Sequence, residues 1–414
     1  MNQQSTTNQT SSPDSRPFAG VRVVEVSRVI ASPFTGSQLA YLGAEIIKIE
    51  DPGKGDGMRI RNGSNKELIR KGMSPSFLSQ NAGKRSVTLN MRTPEGQKIF
   101  RQLAANANVV LENLKTGTMH GYGLGYEDLR ASCPRLVYCS LTAYGNTGPR
   151  KRYPAYDPVV QAGSGMMSIN GTPESGPIKV GPSVVDYGTG FAAAFAIASA
   201  LFQRERTGAG QHIDVSMMDT ALVLMGQVAS DVLTSGTVPR LQGNINMFNP
   251  TTASFPTKQG ELFIGAMEEH QVQNMFRALG RADLSTDVRF SSTENRNANG
   301  AALRAELIKT FQGKAATEWE HVLNEANVPA MPVRTIPEAL ADPHLKSRNL
   351  FQVFDKIPGI SGSATVPLVP FMLSESKARA DLPPPTLGAH TREVLASLGY
   401  SDAQIEQLHM RHVI

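Results

Sequence analysis

Short β-branched runs alternate with helical segments along the first half of the chain. GVRVVEVS (20–27) and AEIIKIE (44–50) are typical of strands, and SPFTGSQLAYLG between them has helical spacing and closes on Gly43. The alternation continues with strands at KRSVTLNM, NVVLEN and RLVYCSLTAYG and helices at TPEGQKIFRQLAANA and GYEDLRASC. Elements at this spacing predict an α/β fold with a mainly parallel, helix-covered sheet.

The pattern changes between about residues 225 and 335. After a strand at HIDVS and a helix come the turn-rich LQGNINMFNPTTASFPTKQGE, the hairpin-like ELFIGA and amphipathic helices. This change predicts a second, smaller domain, and two further helices end the chain. Residues 1–16 are polar and lack an apolar segment, so we expect a disordered tail rather than a signal peptide.

Composition narrows the function classes. The 414 residues are 40% hydrophobic and 19% charged, as in an ordinary enzyme with a large core. A net charge of +5, with 6% aromatics and no block of five or more consecutive basic residues, argues against a nucleic-acid partner. The longest apolar run, Phe191 to Phe202, has 12 residues and is too short to span a bilayer. With two cysteines, of which Cys139 is expected in a buried strand, we predict a cytoplasmic protein with no membrane partner.

One carboxylate, Asp186, is predicted to lie just before a long apolar helix, in GPSVVDYGTG followed by FAAAFAIASALFQRERTG. A helix start offers unpaired N–H groups and a partial positive charge, and nearby glycines let a bulky ligand approach. Such an acid suits nucleophilic carboxylate chemistry. The alternative is that Asp186 only caps the helix. The glycine fingerprint of a dinucleotide-binding turn is missing after the first strand, which disfavours an NAD(P) oxidoreductase.

Seven motifs in order give the chain a family resemblance. They are LGAEIIKIEDPGKGD, NAGKRSVTLNMRTPEG, LEN followed by TG, AYGNTGP, YDPVVQAGSG, VGPSVVDYGTG and RTGAGQHIDVSMMD. Together they resemble the family III CoA-transferases, the group of formyl-CoA transferase and carnitine CoA-transferase, to which the α-methylacyl-CoA racemases are related. The similarity runs from about residue 20 to 408.

The resemblance implies an architecture. It implies an interlocked homodimer, or an assembly with a paralogous subunit. Each chain would have a large Rossmann-like, CoA-binding domain of residues 17–225 plus 336–414 and a small domain of residues 226–335.

The resemblance also implies covalent chemistry at Asp186. This carboxylate would attack an acyl-CoA thioester, become an aspartyl anhydride and then an aspartyl-CoA thioester, and pass CoA to a free carboxylic acid. Coenzyme A would be a substrate, and neither a permanently bound cofactor nor a metal would be needed. Backbone N–H groups near the glycines would bind the oxyanion, with Asp157, Gly188 and Gly190 as candidate contacts to it or to the substrate.

The CoA site carries over by position onto a set of residues that follow strands or flank motifs: Val29, Ile30, Ala31, Leu89, Arg92, Asn113, Leu114, Lys115, Tyr156 and Met217. Ile30 stands where formyl-CoA transferase has a glutamine, which argues against a formyl-type substrate. Asp51 stands where that enzyme has an arginine, a loss for which Lys54 or Arg59 could compensate. Taken alone, Arg92 fits a solvated charge and Asn113 a turn.

The branch of the family and the substrate are decided by other residues. A racemase of this family pairs a histidine with the aspartate, and Tyr156 occupies that position, so a transferase is favoured over a racemase or a non-catalytic CoA-binding subunit. By analogy the donor is succinyl-CoA, and the acceptor is a branched, unsaturated or aromatic (di)carboxylic acid. Four polar residues of the smaller domain are candidate acceptor contacts or turn residues: Asn246, Asn249, Thr251 and Thr252.

Overall fold

The computed structural model describes residues 14–61, 63–246 and 249–414. Its strands are β1 Arg22–Val26, β2 Glu45–Glu50, β3 Lys84–Thr88, β4 Val109–Glu112, β5 Val137–Thr142, β6 Gly171–Thr172, β7 Gly176–Pro177, β8 His212–Ser216, β9 Thr252–Pro256, β10 Glu261–Gly265, β11 Ala330–Pro332, β12 Phe351–Phe354 and β13 Ala364–Pro367.

The helices of the first half are α1 Ala31–Tyr41, α2 Lys66–Arg70, α3 Pro75–Leu78, α4 Pro94–Ala105, α5 Thr118–Gly121, α6 Tyr126–Leu129, α7 Asp157–Gly163 and α8 Val184–Thr207. Those of the second half are α9 Met217–Leu224, α10 Gly226–Ser235, α11 Glu269–Ala278, α12 Asp283–Thr286, α13 Thr293–Ala298, α14 Gly300–Phe311, α15 Ala316–Glu325, α16 Ile336–Ala341, α17 Pro343–Ser347, α18 Thr391–Ser397 and α19 Asp402–Met410. Short 3-10 turns occur at Gly57–Ile60 and Met166–Ile169.

A six-stranded sheet organises the larger part of the chain, with strand order β3-β2-β1-β4-β5-β8. Every neighbouring pair is parallel, as predicted from the alternation of strands and helices. Successive residues of β1 enter different cores: Val23 packs on the side of α1 and α8, and Val24 on the side of α4, α18 and α19. Because both faces are covered, polar residues in these strands are buried as well.

The strand order reverses between β1 and β4. Connections from β1 lead outward through β2 to β3, whereas β4 leads the other way to β5 and β8. Where two such halves meet, the loops leaving the carboxyl ends of the strands separate and form a crevice. The sheet therefore predicts a binding site at the loops after β1 and β4.

The chain divides into two compact units. The larger contains the chain up to Met166, Val180–Thr234 and Asn349–Ile414, and the smaller contains Met167–Lys179 and Ser235–Arg348. The predicted boundaries, 225/226 and 335/336, lie earlier than these. The segment with β6 and β7 joins the smaller unit because the Gly243 N–H bonds the Gly171 carbonyl at 2.7 Å.

The smaller unit is built on an antiparallel sheet of order β11-β10-β9. The strands β9 and β10 are antiparallel: Thr252 pairs with Gly265 at one end and Pro256 with Glu261 at the other. The hairpin predicted at ELFIGA is therefore confirmed. The helices α11, α14 and α15 cover this sheet with a core that includes Phe255, Phe276 and Phe311.

The predicted disordered tail, residues 1–16, extends into the described part of the chain. Residues 1–13 of the predicted disordered tail lie outside the described residues. Arg16, at the end of that prediction, is 6% exposed and forms ion pairs with Asp14 and Asp381. Because a guanidinium is buried only with partners, the ordered chain begins before residue 17.

Among the described helices, α8 is long and apolar enough to cross a membrane by length and composition. This differs from the prediction based on the uninterrupted apolar run, because the helix also includes the turns on either side of it. In the structure α8 packs against α1, with the Phe34 and Phe191 rings edge to face at 4.8 Å. Such packing is equally typical of the core helix of a globular enzyme.

Candidate active site

A cavity of about 340 Å³ lies at the carboxyl ends of β1, β4 and β5, in the crevice that the strand order predicts. It brings together most of the predicted site residues: Val29, Ile30, Ala31, Asn113, Leu114, Lys115, Tyr156, Asp186 and Met217. They come from five separate stretches of sequence. Their convergence on one cavity is the main structural support for the predicted site.

Asp186 lies inside the first turn of α8, not before the helix as predicted. The helix begins at Val184, and its N-cap residue Ser183 makes no side-chain capping bond. The cap comes instead from Asp157, whose Oδ2 accepts the backbone N–H groups of Val185 at 2.8 Å and Asp186 at 2.9 Å. Asp157 therefore replaces the missing cap, and the Asp186 side chain is left for the cavity.

The Asp186 carboxylate is buried without a cation. The residue is 8% exposed, and no ion pair or side-chain hydrogen bond to it occurs among the described residues. Burial raises the pKa of Asp186 to about 7, and the negative charge of Asp157 adds to the shift. Of the predicted free N–H donors beside this acid, those of Val185 and Asp186 bond to Asp157 instead, and burial opposes ionisation of Asp186 rather than favouring it.

The three residues proposed as oxyanion or substrate contacts have other partners. Asp157 is 2% exposed, and its Oδ1 accepts a hydrogen bond from the Gln161 side-chain amide. Gly188 and Gly190 lie within α8, where their N–H groups bond to carbonyls one turn earlier. A Cβ at residue 190 would lie 2.8 Å from the Ala31 carbonyl oxygen. These glycines serve helix packing, and their N–H groups are engaged within the helix.

The loop after β1 forms the wall of the cavity beside α1. Ile30 is the N-cap residue of α1 and provides no side-chain capping bond, so the first N–H groups of that helix have no helical partner. Asn113, after β4, holds this loop: its side chain accepts the Arg28 N–H at 2.9 Å and donates to the Arg28 carbonyl at 2.8 Å. Asn113 thus joins two cavity walls and is more than a turn residue.

Leu89 and Arg92 lie at a neighbouring cavity of about 40 Å³, which shares Arg28 and Leu114 with the first. The exposed Arg92 guanidinium pairs with Asp51 at 2.8 Å. Asp51 stands where a relative has an arginine. Its pairing with Arg92 neutralises the arginine's positive charge at this smaller cavity.

Arg59 cannot compensate there, contrary to expectation. Its side chain is buried, bonds Glu50 at 2.7 Å and stacks over the Phe77 ring at 3.8 Å. Lys54 remains exposed.

Several residues that line the cavity were not predicted from the sequence, among them Arg28, Lys151 and Tyr153. Arg28 follows β1 directly, and Lys151 lies in the basic run Arg150–Arg152 after the AYGNTGP motif. A cluster of positive charge next to motif residues was the available signal. Together with Lys115 these residues bring three cationic side chains to the cavity wall.

Histidine and cysteine chemistry finds no support in this cavity. No histidine of the described residues lines it. His212 bonds the Ser140 hydroxyl through Nε2 at 3.0 Å and stacks on Tyr126, which are structural contacts. Cys139 is fully buried in β5, as predicted, and burial raises the pKa of its thiol. The described residues contain no group of His, Cys, Asp and Glu placed to hold a metal ion.

The parallel α/β sheet thus has a cavity in the crevice at its strand ends, a usual place for the active site of an enzyme, and the buried Asp186 carboxylate lines it. Comparison with known proteins gives the family. The model of the family described as "CoA-transferase family III" matches residues 18–391, and the chain belongs to this family. The protein is accordingly a CoA-transferase, as predicted.

Curated relatives cover almost the whole chain. The succinate–glutarate CoA-transferase of Agrobacterium fabrum is 35% identical over 92% of this chain and 96% of its own. The succinyl-CoA–D-citramalate CoA-transferase of Chloroflexus aurantiacus is 33% identical over 96% of this chain and 98% of its own. Among solved structures, a CAIB/BAIF family protein from Brucella suis matches with a TM-score of 0.81 and 34% identity, over 92% of this chain and 99% of that one.

Proposed function

We propose that this enzyme moves CoA from succinyl-CoA to a short aliphatic dicarboxylic acid, with Asp186 as the covalent nucleophile. The observation that carries the proposal is the unpaired Asp186 carboxylate in the cavity that collects the predicted CoA contacts. A carboxylate without a cation or a hydrogen-bond donor is a better nucleophile than a paired one.

The reaction proceeds in two symmetric halves. An Asp186 oxygen attacks the thioester carbonyl, the C–S bond breaks, and a succinyl-aspartyl anhydride and CoA thiolate form. The thiolate attacks the aspartyl carbonyl, which releases succinate and leaves an aspartyl-CoA thioester. The acceptor carboxylate then displaces the thiolate, and the thiolate attacks the acceptor carbonyl of the new anhydride, which regenerates Asp186. The thioester bond energy is kept throughout, since each step exchanges one activated acyl group for another.

The first turn of α1 supplies the oxyanion donors in this proposal. The N–H groups of Ala31 and Ser32 belong to the first turn and have no helical partner, and Ala31 lines the cavity that contains Asp186. The positive end of the helix dipole favours a developing oxyanion there. This assignment replaces Gly188 and Gly190.

Coenzyme A would extend from Asp186 along the loops after β1 and β4. The pantetheine would be contacted by Val29, Ile30, Ala31 and Met217. The cations at the cavity wall, such as Lys115, would bind the phosphates of coenzyme A. Leu89 and Arg92 would lie at the nucleotide end, in the adjoining cavity. The strand order supports a Rossmann-like description of this larger unit.

The chemical class of the acceptor acid is indicated by the relatives' names and by the positive charge at the cavity wall. The relatives' names specify glutarate and D-citramalate as partners of succinate or succinyl-CoA. A dicarboxylate has a second negative charge, which Arg28 or Lys151 would bind at the cavity wall. In the smaller unit, Asn249 and Thr251 instead bond the Ala266 carbonyl, which favours turn roles. The absence of a histidine lining the described cavity disfavours a racemase.

A homodimer and a cytoplasmic location complete the proposal. Large apolar side chains of α8, α9 and α10 are exposed in the single chain, among them Phe195 at 75%, Val223 at 77% and Leu233 at 87%. An apolar surface of this kind is typical of a subunit interface. Light scattering of the purified protein tests the dimer directly, since a monomer would contradict it.

A competition assay tests the function. The enzyme is given succinyl-CoA and an equimolar mixture of glutarate, citramalate, mesaconate, oxalate, phthalate and carnitine, and the new CoA esters are identified by mass spectrometry. We expect aliphatic dicarboxyl-CoA esters in excess. Exclusive formation of an aromatic or carnitine ester would overturn the acceptor class, and the absence of every ester would overturn the donor.

A further inference from the structure

Four charged side chains form a buried cluster beneath the loop after β1. Glu25, Lys48 and Lys84 have no exposed surface, and Asp56 is 2% exposed. Glu25 pairs with Lys48 at 3.1 Å and with Lys84 at 2.9 Å, and Lys48 pairs with Asp56 at 3.2 Å. The cluster is electrically balanced, but burying four charges is costly even when they pair. The presence of this cluster in the core therefore suggests a role other than stability.

Each cation of the cluster also bonds a backbone carbonyl, one in the loop after β1 and one in the first turn of α1. Lys48 Nζ donates to the Ser27 carbonyl at 2.9 Å, and Lys84 Nζ donates to the Pro33 carbonyl at 2.7 Å. Asp56 Oδ1 accepts the Val29 N–H at 3.3 Å. The cluster thus contacts residues 27–33 at their start, middle and end.

The loop is held in a strained conformation. Val29 has φ of 71°, in the left-handed region that a β-branched residue avoids. The Gln80 amide reinforces the hold, since its nitrogen, when assigned to that side, lies 3.1 Å from the Val29 carbonyl and 3.3 Å from that of Ile30. Helix α1 approaches the cluster so closely that a Cβ at Gly36 would lie 1.9 Å from Glu25 Oε2.

The opposite side of this loop lines the reaction cavity. Val29, Ile30 and Ala31 all border the cavity that holds Asp186. A strained residue and a costly buried cluster therefore converge on one short segment, from which the first turn of α1 begins. Strain of this kind persists only where the surroundings enforce it.

We propose that Glu25, Lys48, Asp56 and Lys84 are positioning residues for the transfer reaction. They hold Val29 in its left-handed conformation, and thereby fix the first turn of α1 where its N–H groups face the acyl oxygen on Asp186. The inference rests on the proposed function of Asp186. It assigns a catalytic consequence to groups that touch neither substrate nor nucleophile.

A coupling experiment at Val29 tests the inference. The charge-balanced change Glu25→Gln with Lys84→Met is combined with Val29→Ala and, separately, with Val29→Gly. Glycine adopts a positive φ without cost, whereas alanine does not, and both remove the two γ-methyl groups of Val29. We expect the cluster change to slow Asp186 acylation about tenfold with alanine and less than about threefold with glycine at position 29.

A control separates positioning from loss of stability. Arg296 of the smaller unit is likewise buried and donates to a carbonyl, that of Phe290, at 3.0 Å. Arg296→Met should lower the unfolding midpoint without slowing acylation. Equal losses in the alanine and glycine backgrounds, or no loss in either, would overturn the inference. If the double change does not fold, Asp56→Asn, which removes one charge of the cluster, replaces it in the same comparison.

Acylation is read as hydroxylamine-trapped label on the tryptic peptide of residues 180–204, whose only acidic side chain is that of Asp186. Absence of label in the wild-type enzyme would contradict the proposed function. If the wild type is labelled but the cluster change slows acylation equally in Val29→Ala and Val29→Gly, only the positioning role is contradicted. The two failures are therefore distinguishable.

Discussion

Asp186 and Glu25 are both buried carboxylates of the larger unit, and the structure treats them in opposite ways. Asp186 has no cation, and burial raises its pKa to about 7. For Glu25 burial also opposes ionisation, but the charges of Lys84 and Lys48 outweigh it and bring the pKa below its usual value. The buried cations Lys48 and Lys84 lie in the cluster beneath the loop after β1, and none lies beside Asp186 among the described residues. A cation at Asp186 would stabilise the carboxylate but reduce its nucleophilicity.

Removing the unpaired carboxylate should have the largest effect. Asp186→Ala is expected to lower CoA exchange by about 10³-fold or more, because no covalent intermediate can form. Exchange is measured with labelled succinate and succinyl-CoA, and CoA binding by calorimetry serves as the control and should persist. Turnover near the wild-type rate would refute the role of this residue.

The pH dependence of acylation should show the raised pKa. The reactive form is the carboxylate, so kcat/KM should rise with pH and level off above about pH 7, the pKa given by burial and by Asp157. Two units below, at about pH 5, the rate should be about 100-fold lower. A profile that is flat from pH 5 to 8 would show that Asp186 is ionised throughout, like Glu25.

The nucleophile should cost stability when it is ionised. Its pKa is raised from 3.8 to about 7 in the folded state, so the folded state binds the proton more tightly and loses stability as pH rises through this interval. Asp186→Asn does not titrate and should be more stable than the wild type by up to about 4 kcal/mol at pH 8. At pH 4 the difference should nearly vanish. Urea unfolding at both pH values measures it, and a variant less stable at pH 8 would argue against the buried, unpaired carboxylate.

The cap residue Asp157 should give the smallest effect and sharpens the comparison. Asp157→Ala leaves the N–H groups of Val185 and Asp186 without their acceptor and should cost about 1–2 kcal/mol of unfolding free energy. Asp157→Asn keeps one acceptor oxygen and should cost less. Since both changes remove a negative charge near Asp186, the midpoint of the pH profile should move downward. An unmoved midpoint would mean that burial alone raises the pKa.

Much of the larger unit could be predicted from local sequence. The period-two runs around Val23 and Ile46, and the helix closed by Gly43, define elements without reference to the rest of the chain. The cavity residues could be placed because they directly follow strands, and parallel strands end at one edge of a sheet. The family motifs supplied the order of these segments.

What could not be predicted depends on contacts distant in sequence. Asp157 caps a helix that begins 27 residues later, at Val184, so the sequence around Asp186 contains no sign that its N–H groups are already bonded. Glu25 and Lys48 alternate with apolar neighbours as they would in a strand with one solvated face. Only the covering of both sheet faces makes them a buried cluster. The positive φ of Val29 likewise follows from that cluster and from no local glycine signal.

The mass of the tryptic peptide of residues 180–204, taken from enzyme mixed with succinyl-CoA and quenched in hydroxylamine, tests directly whether Asp186 is the nucleophile. Its one acidic side chain is Asp186, so a hydroxamate on this peptide marks the covalent intermediate without ambiguity. We expect the hydroxamate in the wild type during turnover and none in Asp186→Ala. An enzyme that transfers CoA while this peptide stays unmodified would contradict it.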